Sequence, residues 1–209
     1  MTYPTIGTDF AKVPSPCYVM EETRLRANLA LLKRVADEAD VKIICALKGF
    51  SFWRAFPLVR QYLVGATASS LNEALLASEE MGGELHVYAP AYTEDEIGQI
   101  LDLAGHISFN SFTQWTRFKD QVLAHPKKPS PGLRVNPECS QVATDLYNPC
   151  APFSRLGITR GAFQEDQLEG IEGLHVHALC EQDSDALEAL MQSFEEKFGQ
   201  FLSQMKWVN

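Results

Sequence analysis

Short apolar segments alternate with longer amphipathic segments along almost the whole chain of 209 residues. Between the apolar segments, apolar residues recur at the spacing of a helix, for example at Leu71, Ala74 and Leu75. Strands that alternate with helices form a parallel sheet, either an open doubly wound sheet or a closed (β/α)8 barrel. The six strand-like segments are residues 41–47, 63–68, 84–89, 106–110, 132–136 and 173–179.

The residues that follow these segments favour the barrel. An open dinucleotide-binding sheet is expected to carry G-x-G-x-x-G after its first strand, whereas this chain has Lys48-Gly49-Phe50-Ser51. In a barrel, reactive residues collect at the carboxyl ends of the strands. We therefore predict an α/β fold of the (β/α)8 TIM-barrel type. The polar or reactive residues at strand ends are Lys48, Ser69, Asn110, Asn136 and Cys180.

The last part of the sequence indicates that this barrel is incomplete. A helical segment, residues 185–202, is followed by residues 205–209, which resemble the opening of a seventh strand. A barrel of eight units typically needs about 250 residues. We therefore expect about six βα units and the start of the seventh strand.

Composition argues against several classes of function. The net charge of −9 disfavours nucleic-acid binding. The five scattered cysteines include no C-x-x-C pair, which disfavours a zinc ribbon or a thioredoxin-like redox site. There is no signal-peptide pattern, and no apolar run approaches the ~20 residues of a membrane span. These features predict a cytoplasmic protein that binds neither nucleic acid nor membrane.

Lys48 is the first candidate for chemistry. Apolar residues 43–47 lead directly into this lysine, and Gly49 lets the chain turn after it. An amine held at the mouth of a sheet is a candidate nucleophile toward carbonyl compounds. The alternative is a structural lysine whose stem lies along the strand end while its charge reaches water.

His175 and His177 form a second candidate site, because alternate residues of a strand point to the same face. Three interpretations remain open: a zinc site as in barrel hydrolases, two hydrogen-bonded interior histidines, or one imidazole lying against a flat aromatic cofactor. The remaining histidines, His86, His106 and His125, show no spacing that favours metal binding. We predict no metal site.

Arg134 lies inside a short strand, where a charge needs a partner or an anionic ligand. It forms either a buried ion pair, with Glu73 as the candidate partner, or a contact with a cofactor or the cofactor's acidic partner. The sequence leaves these alternatives equally open.

Five motifs occur in the order found in one group of enzymes. They are residues 14–20 with 25–29, then 45–51, 132–138, 154–157 and 175–181. Together they resemble the fold-type III pyridoxal 5′-phosphate (PLP) enzymes, the group of alanine racemase and the ornithine decarboxylase-like enzymes. Within that group the chain is most similar to the carboxynorspermidine/carboxyspermidine decarboxylase family, and the resemblance covers the whole chain.

The resemblance implies roles for five residues. Lys48 would form the Schiff base with PLP, and His177 would stack on the pyridine ring, so these two would be the catalytic residues. Arg134 would bind near the ring. Cys180 takes the place of a serine that contacts the phosphate in relatives, and Glu181 would bind a cationic substrate.

The resemblance also implies a function, the PLP-dependent decarboxylation of carboxynorspermidine or carboxyspermidine to norspermidine or spermidine in polyamine biosynthesis. The family enzymes are homodimers, and acidic side chains should line the outer pocket that receives the polyamine. Alternatives are a non-enzymatic PLP-binding barrel protein, a zinc hydrolase built on His175 and His177, and a structural remnant without a ligand.

Two regions are expected from the same resemblance. Residues 1–20 would be an extended segment that normally pairs with a C-terminal β-domain, and residues 21–209 would be a partial PLP-binding barrel. The glycine-rich phosphate loop and the β-domain of the family are not found in this sequence. We therefore expect the chain alone to be inactive or nearly so.

Overall fold

Strands that follow one another along the chain are neighbours in a single curled parallel sheet. The computed structural model describes residues 7–209. Within them the sheet has the order β1-β2-β3-β4-β5-β7-β8, and β6 pairs with β5 beside this path. The strands are β1 Cys45–Ala46, β2 Gly65–Ala68, β3 Glu84–Tyr88, β4 His106–Phe109, β5 Ser130–Asn136, β6 Ile158–Thr159, β7 Gly173–His175 and β8 Trp207–Val208.

Helices connect most of these strands, as a parallel sheet requires. The α-helices are α1 Glu22–Ala39, α2 Phe56–Val59, α3 Leu71–Leu76, α4 Glu94–Leu103, α5 Phe112–Ala124 and α6 Ser184–Phe198. A 3₁₀ segment, Gly199–Gln204, extends α6 toward β8. Every helix within residues 7–209 is too short or too polar to cross a lipid bilayer.

Strand β4 shows how the sheet separates its two faces. Ile107 and Phe109 are fully buried, and the Phe109 ring lies 5.5 Å from the ring of Trp115 in α5. His106, one residue before Ile107, lies on the opposite face against Trp207. Alternation along the strand therefore gives the sheet an apolar outer face beneath the helices and a more polar inner face.

The predicted half-barrel is confirmed, including the start of a seventh main strand. Trp207–Val208 pairs with β7 in parallel register. The indole ring of Trp207 covers Gly173 so closely that a Cβ atom on this glycine would lie 2.1 Å from the ring. A side chain at this position would push the ring away, so the glycine allows the last strand to join the sheet.

Three details differ from the sequence predictions. Strand β1 is limited to Cys45–Ala46, and β7 ends at His175. The predicted strands were longer because an apolar run shows which residues are buried but not where the hydrogen bonding between strands stops. Strand β6 was not predicted, since its two residues follow a loop. Gly157 makes β6 possible, because its φ of +82° turns the chain against the backbone of Val135.

The predicted extended segment, residues 1–20, lies partly outside the described residues. Between residues 7 and 20 the structure contains the 3₁₀ turn Phe10–Lys12 and no strand. Helix α1 begins at Glu22, close to the predicted boundary. The pairing of this segment with another domain remains a prediction.

Candidate active site

A cavity of about 530 Å³ opens at the carboxyl ends of the strands. In a barrel this is the edge where reactive groups from separate strands converge. Three of the five polar strand-end residues that the sequence indicated, Lys48, Ser69 and Cys180, line it. The lining residues within the described chain are Lys48, Ser69, Tyr88, Pro90, Arg134, Leu146, Tyr147, Asn148, Pro149, Leu156, His177, Leu179 and Cys180.

The turn that follows β1 places Lys48 at the cavity. Leu47 is 2% exposed and its N–H donates to the carbonyl of Thr67, which fixes the residue before the lysine. Gly49 and Phe50 both donate their N–H groups to the carbonyl of Ala46, which closes the turn after it. The Nζ atom of Lys48 is thereby held 3.4 Å from Nε2 of His177.

His175, the last residue of β7, and His177 share a smaller cavity of about 100 Å³ with Lys48 and Arg134. This confirms that His175 and His177 face the same side. The ring of His175 packs edge-on against Tyr88, with ring centroids 4.9 Å apart. Among residues 7–209, neither histidine belongs to a group of three or more side chains that could hold a metal ion. The geometry therefore disfavours the zinc interpretation.

Both imidazoles are neutral at physiological pH. The pKa of His175 is lowered to about 3, chiefly by burial and then by the charge of Arg134. Partial removal from water lowers the pKa of His177 to about 4, and the charges of Lys48 and Arg134 lower it further. A neutral ring at position 177 presents an uncharged, flat face to the cavity.

Arg134 is 4% exposed and lies at the floor of the cavity. Its guanidinium donates to the hydroxyl oxygen of Tyr88 at 2.7 Å and to the main-chain carbonyl of His177 at 2.9 Å. The guanidinium carbon also lies 4.7 Å from the centre of the Tyr88 ring. Arg134 therefore positions the backbone of His177.

Of the two alternatives for Arg134, the ion pair with Glu73 does not form. The Glu73 carboxylate accepts a hydrogen bond from the N–H of Ser69 at 2.7 Å. The carboxylate therefore has its partner at the start of its own helix, α3. No salt bridge of Arg134 occurs within residues 7–209. The cation is held by neutral acceptors and an aromatic ring, which leaves its charge available to an anionic ligand.

Tyr88 and Asn110 are site residues whose roles the sequence did not show. The Tyr88 hydroxyl donates to Oδ1 of Asn110 at 2.8 Å, and the same oxygen accepts from the N–H of Gly157 at 2.8 Å. The amide nitrogen of Asn110 donates to the carbonyl of Arg155 at 2.7 Å. This network joins Arg134 to the loop before β6. The position of both residues at strand ends was the available signal.

Cys180 and Glu181 occupy different surroundings. The exposed thiol of Cys180 lines the cavity. Glu181 is exposed, has a φ of +52°, and is not among the lining residues of the described chain. The lining contains two cationic side chains, Lys48 and Arg134, and no acidic one. The expected acidic wall is therefore absent from the part of the pocket that residues 7–209 build.

The burial of His175 predicts how stability depends on pH. Its pKa falls from the ordinary value of 6.5 to about 3 on folding, so the unfolded chain binds this proton at a higher pH than the folded chain does. The contribution to the free energy of unfolding is therefore complete above pH 6.5 and is lost as the pH falls toward 3. In His175→Gln, the melting temperature should fall less between pH 7 and pH 5 than in the unmodified protein. Equal falls would contradict the assignment.

The amino-acid sequence of this chain is similar to those of curated decarboxylases. The chain is 48% identical over 200 residues to a carboxynorspermidine/carboxyspermidine decarboxylase of Campylobacter jejuni, covering 96% of this chain and 51% of the relative. It is 46% identical over 199 residues to a carboxyaminopropylagmatine decarboxylase of Synechocystis, covering 95% and 51%. The chain thus spans about half the length of the curated relatives it matches. No family model matches it.

Solved structures of decarboxylases also match this chain over about half of their own length. A crystal structure of carboxynorspermidine decarboxylase from Campylobacter jejuni, complexed with norspermidine, superposes with a TM-score of 0.84 at 45% identity, covering 94% of this chain and 50% of that one. Diaminopimelate decarboxylase from Helicobacter pylori has a TM-score of 0.70 at 17% identity, covering 88% and 50%. At that identity the likeness shows the fold alone. The expected resemblance to fold-type III decarboxylases is confirmed.

Proposed function

We propose that this chain, a homologue of the carboxynorspermidine/carboxyspermidine decarboxylases, binds PLP in the Lys48 cavity and contributes the amine and the stacking imidazole of a decarboxylase site. The observation that carries the proposal is the approach of Lys48 Nζ to within 3.4 Å of His177 Nε2 at the carboxyl ends of a parallel sheet. The 48% identity to a curated decarboxylase and the TM-score of 0.84 with a solved decarboxylase structure support it.

The residues of the cavity suit PLP in three respects. The Lys48 amine can add to the aldehyde carbon of PLP, since it reaches the cavity without a carboxylate partner in the described chain. His177 offers a neutral, flat ring that can stack on the pyridine ring. Cys180 and Ser69 supply thiol and hydroxyl groups at the rim, where a phosphate could accept weak hydrogen bonds.

Each residue then has a defined task. Lys48 would hold the cofactor through its Nζ atom. Arg134 holds the main chain of His177, so that the imidazole keeps its place against the ring. When bound, PLP supplies the electron sink that stabilises the carbanion formed as carbon dioxide leaves.

A carboxylated polyamine is the proposed substrate, as the names of the relatives suggest. Leu146, Tyr147, Leu156 and Leu179 give the cavity an apolar wall against which methylene segments can lie. The amino groups of a polyamine require acceptors beyond this wall, and Glu181, directly after Cys180, remains the proposed contact. A homodimer and a cytoplasmic location are further parts of the proposal.

The test combines PLP binding with product formation. We expect the chain to bind PLP with the absorbance change of a lysine adduct. With carboxynorspermidine as substrate, norspermidine formation should be far below that of the Campylobacter jejuni relative assayed in parallel, because the chain spans about half of that relative. Norspermidine formation above that seen with free PLP would contradict the non-enzymatic PLP-binding alternative. Failure to bind PLP would contradict both functions.

A further inference from the structure

A second cluster of functional side chains lies on the inner face of the sheet, away from the carboxyl ends. Glu84 is the first residue of β3, and His86 lies two residues later on the same face. His106, the first residue of β4, is the direct register partner of His86. One ligand atom from each of the three side chains lies within 4.8 Å of the others.

The two imidazoles are stacked, with centroids 4.0 Å apart and an interplanar angle of 11°. Nε2 of His86 lies 3.6 Å from a carboxylate oxygen of Glu84. Nδ1 of His106 is buried and has no hydrogen-bond partner within the described residues. A buried ring nitrogen without a partner is costly, so this site gains when a ligand satisfies it.

The ionisation of the three groups suits a cation. Burial and the neighbouring His106 lower the pKa of His86 to about 4. Burial also lowers the pKa of His106, whereas a hydrogen bond from Lys42 lowers the pKa of Glu84. Neutral imidazoles and a carboxylate are the forms in which these groups ligate metals.

A ligand can reach the cluster from solvent. Glu84, His86 and His106 line a cavity of about 380 Å³ that opens between the amino ends of the strands. Lys42 and Lys206 stand at its rim, each paired with a glutamate, Glu84 and Glu172 respectively.

We propose that Glu84, His86 and His106 form a binding site for one divalent transition-metal ion, a site that is separate from the proposed PLP function. Two imidazoles and a carboxylate are a donor set that suits Zn²⁺, Ni²⁺ and Cu²⁺. Ligands of a tetrahedral zinc ion lie about 2.0–2.2 Å from it, so the ligand atoms must draw together from their present spacing. The lone pairs of stacked rings do not converge on one point, so metal binding also requires one imidazole to turn about its Cβ–Cγ bond. Glu84 must in addition leave its ion pair with Lys42.

Trp207 provides a reporter within the site. The centroid of its ring lies 6.0 Å from that of His86 and 5.3 Å from that of His106, edge-on to both. The chain has two other tryptophans, Trp53 and Trp115, so the variant Trp207→Phe isolates the contribution of the reporter. A paramagnetic ion such as Ni²⁺ bound by the two histidines should quench Trp207.

The experiment is a titration of the protein with NiCl₂, followed by tryptophan fluorescence and by calorimetry. We expect saturable quenching with a stoichiometry of one ion per chain. His86→Gln and His106→Gln should each weaken binding by about tenfold or more, in line with the sensitivity of metal sites to loss of a coordinating or supporting group. Trp207→Phe should abolish most of the quenching and keep the calorimetric binding.

Two matched variants decide where the ion binds. His125→Gln removes a histidine that faces one carboxylate, Asp102 at 3.5 Å, without a second imidazole, and it should leave binding unchanged. His177→Gln should also leave it unchanged. Melting curves without metal show whether each variant is folded. Glu84→Gln, a substitution of nearly equal size, removes the carboxylate ligand and should also weaken binding. Binding that survives His86→Gln and His106→Gln, or that disappears in His177→Gln, would overturn the proposal.

Discussion

Lys48→Ala is expected to abolish the absorbance change that PLP produces with the unmodified protein. The Nζ atom of Lys48 is an amine at the shared wall of the two cavities, next to the imidazole of His177. Without this amine no carbon–nitrogen bond can form at that position, and PLP retains only the contacts of Arg134, His177 and the rim. Absorbance spectroscopy with increasing PLP measures the effect.

Lys33→Ala is the matched control for this substitution. Lys33 is exposed on α1, pairs with Asp37 one helical turn away, and lies outside the Lys48 cavity. Its loss should leave the spectrum of the PLP adduct unchanged. Lys48→Arg adds a second control, because arginine keeps the positive charge but forms no such bond with the aldehyde. A full adduct band in Lys48→Ala would show that another lysine carries the cofactor.

Arg134→Met is expected to separate cofactor binding from stability. The guanidinium makes charge-assisted hydrogen bonds to Tyr88 and to the carbonyl of His177, each of about 1.5–3 kcal/mol. Loss of the bond that orients His177 should weaken PLP binding by about ten- to a hundredfold. The melting temperature should change little, because the substitution also removes a buried charge that has no carboxylate partner in residues 7–209. Equilibrium titration and thermal unfolding measure the two effects.

Tyr88→Phe is the control for Arg134→Met. It removes the hydroxyl that bridges Arg134 and Asn110 but keeps the ring beneath the guanidinium. We expect a smaller loss of PLP affinity than in Arg134→Met, since the contact with the carbonyl of His177 remains. A large loss of stability in Arg134→Met with unchanged PLP affinity would mean that Arg134 serves the fold and not the site.

The sheet was predictable because its order follows the chain. Alternating strand-like and helix-like segments imply parallel neighbours, and residues at strand ends then meet at one edge. This reasoning placed Lys48 and Cys180 at one edge of the sheet, and the family resemblance added His177; in the structure all three line one cavity. Their chemical roles remain predictions.

Side-chain partners across strands were not predictable in the same way. The sequence left open whether Arg134 pairs with Glu73, and in the structure the carboxylate turns back to the N–H of Ser69 while Tyr88 from β3 reaches the guanidinium. The partner of a side chain depends on the register of the strands and on the rotamer, and hydrophobic periodicity gives information on neither.

The cluster on the inner face shows the same limit. Glu84 and His86 alternate along β3, which was visible in the sequence, but His106 joins them only through the pairing of β3 with β4. Spacing along the chain therefore gave no metal site, although the register places three potential ligands within reach of one another.

The most direct test of the central claim is to identify the lysine that bonds to PLP. The protein is incubated with PLP, reduced with borohydride to make the bond permanent, digested, and mapped by mass spectrometry. The account predicts one modified residue, Lys48, in the peptide that contains Gly49 and Phe50. Modification spread over exposed lysines, with Lys48 unmodified, would contradict it.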